Sequence, residues 1–258
     1  MLVSIITVTY NSAATLKDTM RSILAQTYGN IEYIIIDGKS QDETINIIKE
    51  YEPLFSGRLH WISERDGGIY DAMNKGIAMS TGDVIGFLNS DDFYSSDDVI
   101  ETFIRELELS GVDAVYGNIH YVKENNLNRC VRYYSSANFQ RWKMRMGWMP
   151  PHPSFYCRRS TYEKYGTFDC SFEIGADFEN LLRLIFVNRI LTKYVPINCV
   201  TMRIGGVSTS GLSSHRQIFK DHMLAYKKNA VYSNYILESL RYIEKFLQIL
   251  FNKLKRDF

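Results

Sequence analysis

The chain lacks the marks of several protein classes. Its four cysteines show no Cys-x-x-Cys spacing and no disulfide density, so we expect reduced thiols and a cytoplasmic location. Lys and Arg number 30 against 29 Asp and Glu, so no basic excess suggests nucleic-acid binding. No apolar run is long enough to span a bilayer. Leu2 to Thr9 follows no charged segment and predicts a strand rather than a signal peptide.

Two nucleotide-binding motifs are also missing. No Gly-x-Gly-x-x-Gly follows the first predicted strand, which disfavours a dinucleotide fold of the dehydrogenase kind. No Gly-rich loop ends in Lys-Ser or Lys-Thr, which argues against a P-loop NTPase. At 258 residues the chain can still bury a large core, as one elaborated α/β domain or as one domain with an appendage.

Strands and helices alternate regularly in the first part of the chain. Apolar, β-branched runs predict strands over 2–9, 32–36, 59–62 and 84–88. Helical patterns predict helices over 15–25, from about 42, and over 69–79. This alternation predicts a Rossmann-like, mostly parallel central sheet with flanking helices and right-handed crossovers. Further on, we expect a helix over 96–108 and a last strand over 201–204.

Acidic side chains follow three of these strands. Asp37, Asp66 and the pair Asp91-Asp92 each come just after a strand's carboxyl end. Ligands bind along that edge in open α/β sheets, so the fold is expected to bring these carboxylates to one cleft. The alternative is that unrelated surface acids fall there by coincidence. Asp37 and Asp66, each followed by glycine, suit hydrogen bonds to a base or ribose, and Tyr10 can stack on a base.

The Asp91-Asp92 pair is a candidate metal site. Adjacent carboxylates repel one another unless a cation lies between them, and Mg²⁺ or Mn²⁺ prefers such oxygens. A metal there would neutralise a diphosphate leaving group. The alternative is an acidic loop that caps the next helix. Ser95 and Asp98 have the spacing of a capping box, however, and would supply that cap.

Four segments together resemble the glycosyltransferases of the large family two, which are inverting, nucleotide-sugar-dependent enzymes with the GT-A fold. They are residues 4–11, 37–40, 66–76 and 86–92, in the family's order. The run from Asp66 to Gly76 is similar to enzymes that assemble bacterial O-antigen or capsule repeat units. The resemblance implies a nucleotide-sugar donor, taken as a UDP-sugar, Mn²⁺ or Mg²⁺ as cofactor, and a glycan acceptor that we expect to be lipid-linked.

The resemblance also implies roles for single residues. Its metal signature is Asp-x-Asp, and Asn89 stands here in place of the first Asp, so Asp91 is the expected ligand. The role of Asp92, on metal or on a sugar hydroxyl, stays open. The expected donor-binding residues are Thr9, Tyr10, Asn11, Asp37, Ser40, Asp66, Gly67, Lys75, Asn89, Ser90 and Asp92.

Asp177 precedes an apolar helical run, Phe178 to Phe186. Its position alone suits a helix N-cap. Similar enzymes carry a Glu-Asp pair there that includes the general base, and this chain has Ala176-Asp177, so the resemblance implies that Asp177 is that base. The two roles are compatible. His152, in a segment with three prolines, is either an acceptor contact or an ordinary loop histidine.

The end of the chain suggests further parts. We expect a GT-A domain over 1–212, divided into a nucleotide-sugar half (1–92) and an acceptor half (93–212), and a helical extension over 213–258. A Gly/Ser stretch over 205–214 suits a lid, and His215 and Arg216 either reach the diphosphate on closure or form a surface pair. The extension has an apolar stripe from Ile236 to Leu254 with flanking Lys and Arg. It would contact the cytoplasmic face of the inner membrane, pack on the domain or form a homodimer.

The resemblance implies single-sugar transfer in bacterial surface-polysaccharide synthesis. A sugar nucleotidyltransferase is the first alternative, but it would need a Gly-rich basic loop where residues 10–13 stand. A non-catalytic sugar-binding relative is the second, and the retained acids argue against it. Processive synthases carry Gln-x-x-Arg-Trp after the base, whereas the sequence Gln-Arg-Trp at 140–142 has other spacing and precedes Asp177.

Overall fold

A computed structural model of the protein describes residues 1–205 and 212–241. Over these residues nine strands form one sheet. They are β1 (Val3–Thr9), β2 (Ile31–Asp37), β3 (Leu59–Ser63), β4 (Val84–Phe87), β5 (Phe93–Tyr94), β6 (Ala114–Lys123), β7 (Asn126–Tyr134), β8 (Tyr156–Arg158) and β9 (Thr192–Arg203).

The sheet has a parallel half and a mixed half. Its order is β3-β2-β1-β4-β8-β6-β9-β5, and β7 pairs with β6 outside this path. The pairs among β1, β2, β3 and β4 are all parallel, as the strand-helix alternation predicts. Beyond β4, only β6 and β9 run parallel to each other, while β8, β5 and β7 are antiparallel to their neighbours. The α/β class is therefore confirmed.

Seven helices accompany the sheet in the described part of residues 1–228. They are α1 (Leu16–Leu24), α2 (Thr44–Tyr51), α3 (Ile69–Met79), α4 (Val99–Ser110), α5 (Arg159–Tyr165), α6 (Ala176–Leu181) and α7 (Leu212–Lys228). A π-helical turn, Leu182–Val187, extends α6, and residues 235–241 are also helical. None of the helices in this part of the chain combines the length and the apolar character that a membrane crossing requires.

Alternating residues of the parallel strands supply two cores, one on each face of the sheet. In β1, Val3 and Ile5 join the core formed with α1, α2 and α4, whereas Ile6 and Val8 join the core formed with α3, α6 and α7. Successive side chains of a strand point to opposite faces, so a continuous β-branched run feeds both cores at once. This burial on both sides explains why the strand reads as unbroken apolar sequence.

The predicted capping box before α4 is wrong. The helix begins at Val99 with Asp98 as its N-cap, and the side chain of Asp98 makes no capping hydrogen bond. Instead, Oε1 of Gln26 accepts from the first-turn N–H of Ile100 at 3.1 Å. Ser95 belongs instead to the sheet edge, where its N–H donates to the carbonyl of Cys199 (3.0 Å) and its hydroxyl meets that of Thr201 (3.0 Å). Because β9 holds Ser95 in this way, the serine is not available as a cap.

The expected positions of two C-terminal features also change. The last strand is β9, with 12 residues rather than the four expected at 201–204. Arg241 was expected to flank the apolar stripe, but it is buried and paired with the buried Glu238 at 3.1 Å. Ile236, the first residue of that stripe, is exposed, and the residues of the stripe beyond Arg241 lie outside the described chain.

Gly86 in β4 leaves room for the ring of Tyr156 on the neighbouring strand. A Cβ at this position would lie 2.2 Å from Cε1 of Tyr156, a fully buried ring on the neighbouring β8. We expect Gly86→Ala to lower the free energy of unfolding by about 1–3 kcal/mol, since the core has no room for the methyl group. Chemical denaturation measures this change. Gly29→Ala is the control, because nothing lies within 4 Å of the added Cβ there. Equal loss in both variants would contradict the packing argument.

Candidate active site

The carboxyl ends of three strands form one edge of the proposed cleft. Thr9 of β1 is in register with Asp37 of β2, which is in register with Ser63 of β3. The hydroxyl of Thr9 is buried and has no hydrogen-bond partner among the described residues. This row places the predicted donor-binding residues of β1 and β2 side by side.

Side-chain hydrogen bonds join the loops that follow β1, β2 and β4. The N–H of Asn11 donates to Oγ of Ser40 at 2.8 Å, and Oδ1 of Asn11 accepts from the N–H of Gln41 at 2.8 Å. The hydroxyls of Ser12 and Ser90 lie 2.9 Å apart. Asn11 and Lys39 adopt left-handed backbone conformations, with φ of +50° and +66°, which turn both loops sharply. The three loops therefore form one continuous surface.

Asp37 is buried beneath this surface. Its carboxylate accepts hydrogen bonds from the N–H (2.9 Å) and hydroxyl (2.5 Å) of Ser40 and from the hydroxyl of Ser63 (2.6 Å). Three donors from the chain itself satisfy most of the acceptor capacity of this carboxylate. The observed part of Asp37 is thus to hold the loops after β2 and β3.

Tyr10, Gly38 and Asp66 converge in front of Asp37. A Cβ on Gly38 would lie 2.8 Å from Oδ2 of Asp66 and 3.4 Å from Cδ2 of Tyr10. Any larger residue would therefore separate the carboxylate from the tyrosine ring. Tyr10 is 62% exposed, so it is accessible to a ligand. The three residues are therefore close together, and the binding of a ligand between them is still a prediction.

Two aspartates hold the backbone just before α3 through hydrogen bonds. Oδ1 of Asp66 accepts from the N–H of Gly68 (3.0 Å), and Oδ2 of Asp71 accepts from the N–H of Gly67 (2.9 Å). Lys75 lies 2.7 Å from a carboxylate oxygen of Glu64 and 3.5 Å from one of Asp71. The hydrogen bond to Glu64 raises the pKa of Lys75, so this lysine stays charged beside the cleft.

Helix α3 also contacts the segment that precedes α6. The hydroxyl of Tyr70 donates to the carbonyl of Ile174. One turn later, the amide of Asn74 donates to the carbonyl of Phe168 and accepts from its N–H, both at 2.9 Å. A Cβ on Gly76 would lie 2.4 Å from Cγ2 of Ile6, so this glycine brings α3 close to β1. The motif at 66–76 therefore makes structural contacts in addition to the ligand contacts expected of it.

The acidic pair after β4 consists of two unequal carboxylates. Asp92 is 1% exposed; its Oδ2 accepts from the amide of Asn89 at 2.8 Å, and its Oδ1 has no partner among the described residues. Asp91 is only partly buried. Burial raises the pKa of both carboxyl groups, well above the ordinary range for Asp92, where the charge of Asp91 adds to the effect.

This pair fits a divalent cation. Its donors are hard oxygens, one of them buried and unpaired, and cations such as Mg²⁺ commonly use one or two carboxylates with substrate phosphates and water. In residues 1–205 and 212–241 no cluster of three His, Cys, Asp or Glu side chains forms a complete metal site. A cation here would therefore need ligands from a bound diphosphate.

Arg203, at the end of β9, was missed in the sequence. Its Nη1 donates to the carbonyl of Asp91 at 2.5 Å, it forms an ion pair with Asp18, and its guanidinium lies 5.2 Å from the centre of the Phe93 ring. Its positive charge opposes the rise in pKa of Asp91 and Asp92. Its position just before the Gly/Ser stretch at 205–214 was the feature of the sequence that could have marked it as a site residue.

The predicted lid begins beyond Arg203. Residues 206–211 lie outside the described chain. His215 and Arg216, the predicted diphosphate contacts, are exposed in α7. Their role is therefore still a prediction.

Asp177 is the second residue of α6 rather than its N-cap, which is Gly175. The expectation of an N-cap is therefore wrong, although Oδ1 of Asp177 does accept from the N–H of Phe178 at 2.7 Å. Burial raises the pKa of this carboxyl to about 6, and the nearby charge of Asp221 adds to the increase. A carboxyl with such a pKa is a stronger base than an ordinary aspartate.

Asp221 of α7 fixes the loop that leads into α6, the helix that carries Asp177. This buried carboxylate accepts from the N–H groups of Ile174 (2.8 Å) and Gly175 (2.9 Å), and from the amide of Gln217 (2.9 Å). A Cβ on Gly175 would lie 2.7 Å from Cβ of Asp221, so the glycine permits this approach. No local sequence pattern links residues 47 positions apart, which is why the contact was not predicted.

His152 is buried rather than an ordinary loop residue. Its ring packs 5.2 Å from that of Phe87 at the end of β4 and 5.7 Å from that of Phe168. Its Nε2 is buried without a partner in the described chain. Burial lowers the pKa of His152 to about 4, so the ring is neutral near pH 7 and a weak base.

Solved structures share this architecture. TarS of S. aureus in complex with UDP-GlcNAc superposes with a TM-score of 0.69 and 16% identity, over 88% of this chain and 66% of that chain, slightly less than two thirds of it. The mannosyltransferase PcManGT of Pyrobaculum calidifontis, in complex with GDP-Man and Mn²⁺, gives 0.61 and 16% identity over 95% and 79%. At these identities the likeness concerns the fold, and it confirms the expected GT-A architecture.

Sequence relatives establish the family. A glycosyltransferase of Mycobacterium tuberculosis, named as uncharacterised, is 36% identical over 83% of this chain and 78% of its own length. A PGL/p-HBAD biosynthesis glycosyltransferase of Mycobacterium bovis is 30% identical over 80% and 79%. Residues 4–174 match the family described as Glycosyl transferase family 2. The chain is therefore a glycosyltransferase and belongs to glycosyl transferase family 2.

Proposed function

We propose that the protein is an inverting glycosyltransferase that moves a single sugar from a nucleotide-sugar, taken as a UDP-sugar, to a hydroxyl of a lipid-linked glycan acceptor. Relatives and neighbours support the substrate classes: one is named for PGL/p-HBAD biosynthesis, and others are solved with UDP-GlcNAc or GDP-Man. We further propose a role in bacterial surface-polysaccharide synthesis of the O-antigen or capsule kind, on the cytoplasmic face of the membrane.

The carboxylate of Asp177 carries this proposal. In an inverting transfer the acceptor oxygen attacks the anomeric carbon opposite the leaving nucleotide and must lose its proton. With a pKa of about 6, Asp177 is about nine-tenths ionised at pH 7 and still basic enough to take that proton. His152, with a pKa of about 4, is the weaker base of the two acceptor-side candidates, and we propose that it contacts the acceptor.

The donor would occupy the surface formed by the loops after β1, β2, β3 and β4. The exposed ring of Tyr10 supports base stacking, and the Asp66 carboxylate beside it supports a hydrogen bond to the nucleoside. Asp37 would act mainly by keeping Ser40 in place. We retain the other expected donor contacts as part of this proposal: Thr9, Asn11, Gly67, Lys75, Asn89, Ser90, His215 and Arg216.

Asp91, with the free oxygen of Asp92, would hold Mn²⁺ or Mg²⁺. Such a cation supplies Lewis-acid stabilisation of the charge on a departing diphosphate. Arg203 holds the backbone of Asp91 in place through its carbonyl and adds positive charge next to the same site. The solved PcManGT complex contains Mn²⁺, which supports this choice of metal.

A panel of nucleotide sugars tests the function. We expect one of them to bind and to be hydrolysed slowly in the presence of Mn²⁺, because water can replace the acceptor at the anomeric carbon. Isothermal titration calorimetry and release of the nucleoside diphosphate measure the two steps. Binding without any hydrolysis or transfer would favour a non-catalytic relative, and release of pyrophosphate from a sugar phosphate and UTP would favour a nucleotidyltransferase.

Asp66→Ala tests the nucleoside end of the site. Loss of a hydrogen-bond partner for a polar ligand costs about 1–3 kcal/mol, so the dissociation constant of the nucleotide should rise by about 5- to 150-fold. Glu50→Ala is the control, since Glu50 is an exposed carboxylate paired with Lys17 away from the cleft. Unchanged affinity in Asp66→Ala would show that the nucleoside binds elsewhere.

A further inference from the structure

A short turn that precedes His152 in the chain exposes basic side chains and a tryptophan to solvent. The 3-10 turn Arg141–Met146 buries only Met144, whose carbonyl accepts from the hydroxyl of Tyr226 at 2.9 Å. Trp142 is 55% exposed, whereas tryptophan side chains are highly buried on average. Arg141, Lys143 and Arg145 surround it in sequence.

Exposed aromatic and aliphatic side chains adjoin this turn. Nε of Arg145 donates to the carbonyl of Tyr232 at 2.7 Å, and the guanidinium lies 5.2 Å from the centre of the Tyr232 ring. Ser233 donates to the carbonyl of Arg145 at 2.6 Å. Tyr232, Tyr235 and Ile236 are 67%, 69% and 76% exposed. The turn and residues 232–236 together are called the basic aromatic surface below.

The N-terminal end of the turn adjoins further basic and apolar side chains. Arg141 lines a surface pocket together with Arg189 and Leu191, and Leu191 is 64% exposed. Within the described chain, no carboxylate forms an ion pair with Arg141, Arg145 or Arg189. These three arginines therefore keep their positive charge without a carboxylate partner in the part of the chain that the structure describes.

A buried network holds the backbone of this surface in place. Glu238 is fully buried and accepts from the Tyr226 hydroxyl at 2.7 Å, and it lies 2.8 Å from Nδ1 of His222 and 3.1 Å from Arg241. The charge of Arg241 compensates that of Glu238. The exposed side chains of Tyr235 and Ile236 are therefore displayed from a fixed segment rather than from a loose end.

We propose that the basic aromatic surface docks on an anionic lipid bilayer. Each Lys or Arg near such a surface is attracted to anionic headgroups. Trp and Tyr favour the headgroup level, and an aliphatic side chain such as Ile236 gains by entering the acyl boundary. A nucleic acid or other polyanion would use the cations but would leave Ile236 and Leu191 exposed to water. The combination favours a membrane.

This surface is connected to the acceptor side of the site. Residues 147–151 lead directly from the turn to His152, and the Phe178 ring, next to Asp177, stacks on His222 with ring centres 3.7 Å apart. The use of the surface rests on the proposed lipid-linked acceptor, which a bilayer would present at this side. Docking itself can be measured without donor or acceptor.

Flotation of the full chain with lipid vesicles tests the proposal. We expect binding to vesicles containing phosphatidylglycerol, weak binding to pure phosphatidylcholine, and a decrease with salt because surface attraction is screened. Trp142→Ala and Arg141→Glu should each reduce binding about fivefold or more. Lys49→Glu on α2 and Leu109→Ala on α4 change an exposed cation and an exposed leucine elsewhere, and should bind as the unchanged protein does.

Three outcomes would overturn the proposal. The first is undiminished binding of both turn variants and of Ile236→Ser, which would place any membrane contact elsewhere in the chain. The second is an equal loss in Lys49→Glu, which indicates general charge attraction. The third is retention on heparin that the turn variants lose, without vesicle binding, which indicates a polyanion site. Melting temperatures confirm that the variants fold, and since no sugar is transferred in these assays, failure of the proposed transferase function would leave their result unaffected.

Discussion

Asp177→Asn is expected to lower the rate of sugar transfer at least about a hundredfold, the lower end of what general-base catalysis contributes. Asparagine has nearly the same shape, and its side-chain oxygen can still accept from the N–H of Phe178, as Asp177 does at 2.7 Å. It cannot take a proton from the acceptor hydroxyl. Initial rates of transfer, with nucleotide binding measured in parallel by calorimetry, separate the chemical step from donor binding.

Donor affinity and melting temperature should stay close to their normal values in this variant. Gly175, not Asp177, is the N-cap of α6, so little helix stability depends on the charge. His152→Gln is the comparison for the other acceptor-side candidate and should retain more activity than Asp177→Asn. If Asp177→Asn keeps most of its transferase activity, the base lies elsewhere.

The pH dependence of the transfer rate provides a second test of the role of Asp177. If Asp177 is the general base, as we propose, its ionised form is the active one, and burial raises its pKa to about 6. The transfer rate should therefore rise with pH, reach half of its maximum near pH 6, and level off above about pH 7. An unperturbed aspartate would place this rise near pH 4. The rise near pH 6 should vanish in the residual activity of Asp177→Asn.

Asp91→Ala is expected to abolish the strengthening of nucleotide binding by Mn²⁺. In the unchanged protein, Mn²⁺ should tighten UDP binding about tenfold or more, since the carboxylate and the diphosphate share the cation. Titration of UDP with Mn²⁺ and with EDTA measures the difference. The variant should bind UDP weakly and equally under both conditions.

The chain contains a control for this experiment in its second acidic pair, Asp97-Asp98. Asp97 is exposed before α4 and follows no strand of the parallel half, so Asp97→Ala should keep the full metal dependence. Equal UDP affinity with Mn²⁺ and EDTA in the unchanged protein would contradict the metal site. Loss of metal dependence in both variants would point to a general effect of charge.

The first half of the fold was predictable because its signals are local. β1 and α3 can be read from unbroken β-branched sequence and from helical spacing, and α3 spans Ile69–Met79 as expected. The carboxylates at the strand ends follow from parallel topology alone. For these residues, chain order and strand direction determine position without knowledge of packing.

The remaining site residues depend on contacts between distant segments. Arg203 reaches Asp91 across 112 positions, and Asp221 holds the loop at Gly175 from a different helix. An N-cap was one of the two roles considered for Asp177, because an apolar helical run follows it, yet Gly175 is the N-cap of α6, and Asp221 accepts from its N–H. Similarly, Ser95 has capping-box spacing, but its pairing with β9 decides its role. Such competition between partners cannot be read from local sequence.

The contacts of α3 have a consequence for exchanging parts between relatives. The side chains of Tyr70 and Asn74 form hydrogen bonds with the backbone of Ile174 and Phe168. The position of α3 and the path of the segment before α6 therefore depend on each other. A chimaera that joined 1–92 of one enzyme to the remainder of another would break this fit, even if both parents were active. Recombination intended to alter the acceptor should therefore take α3 and the segment from Phe168 to Ile174 from the same parent.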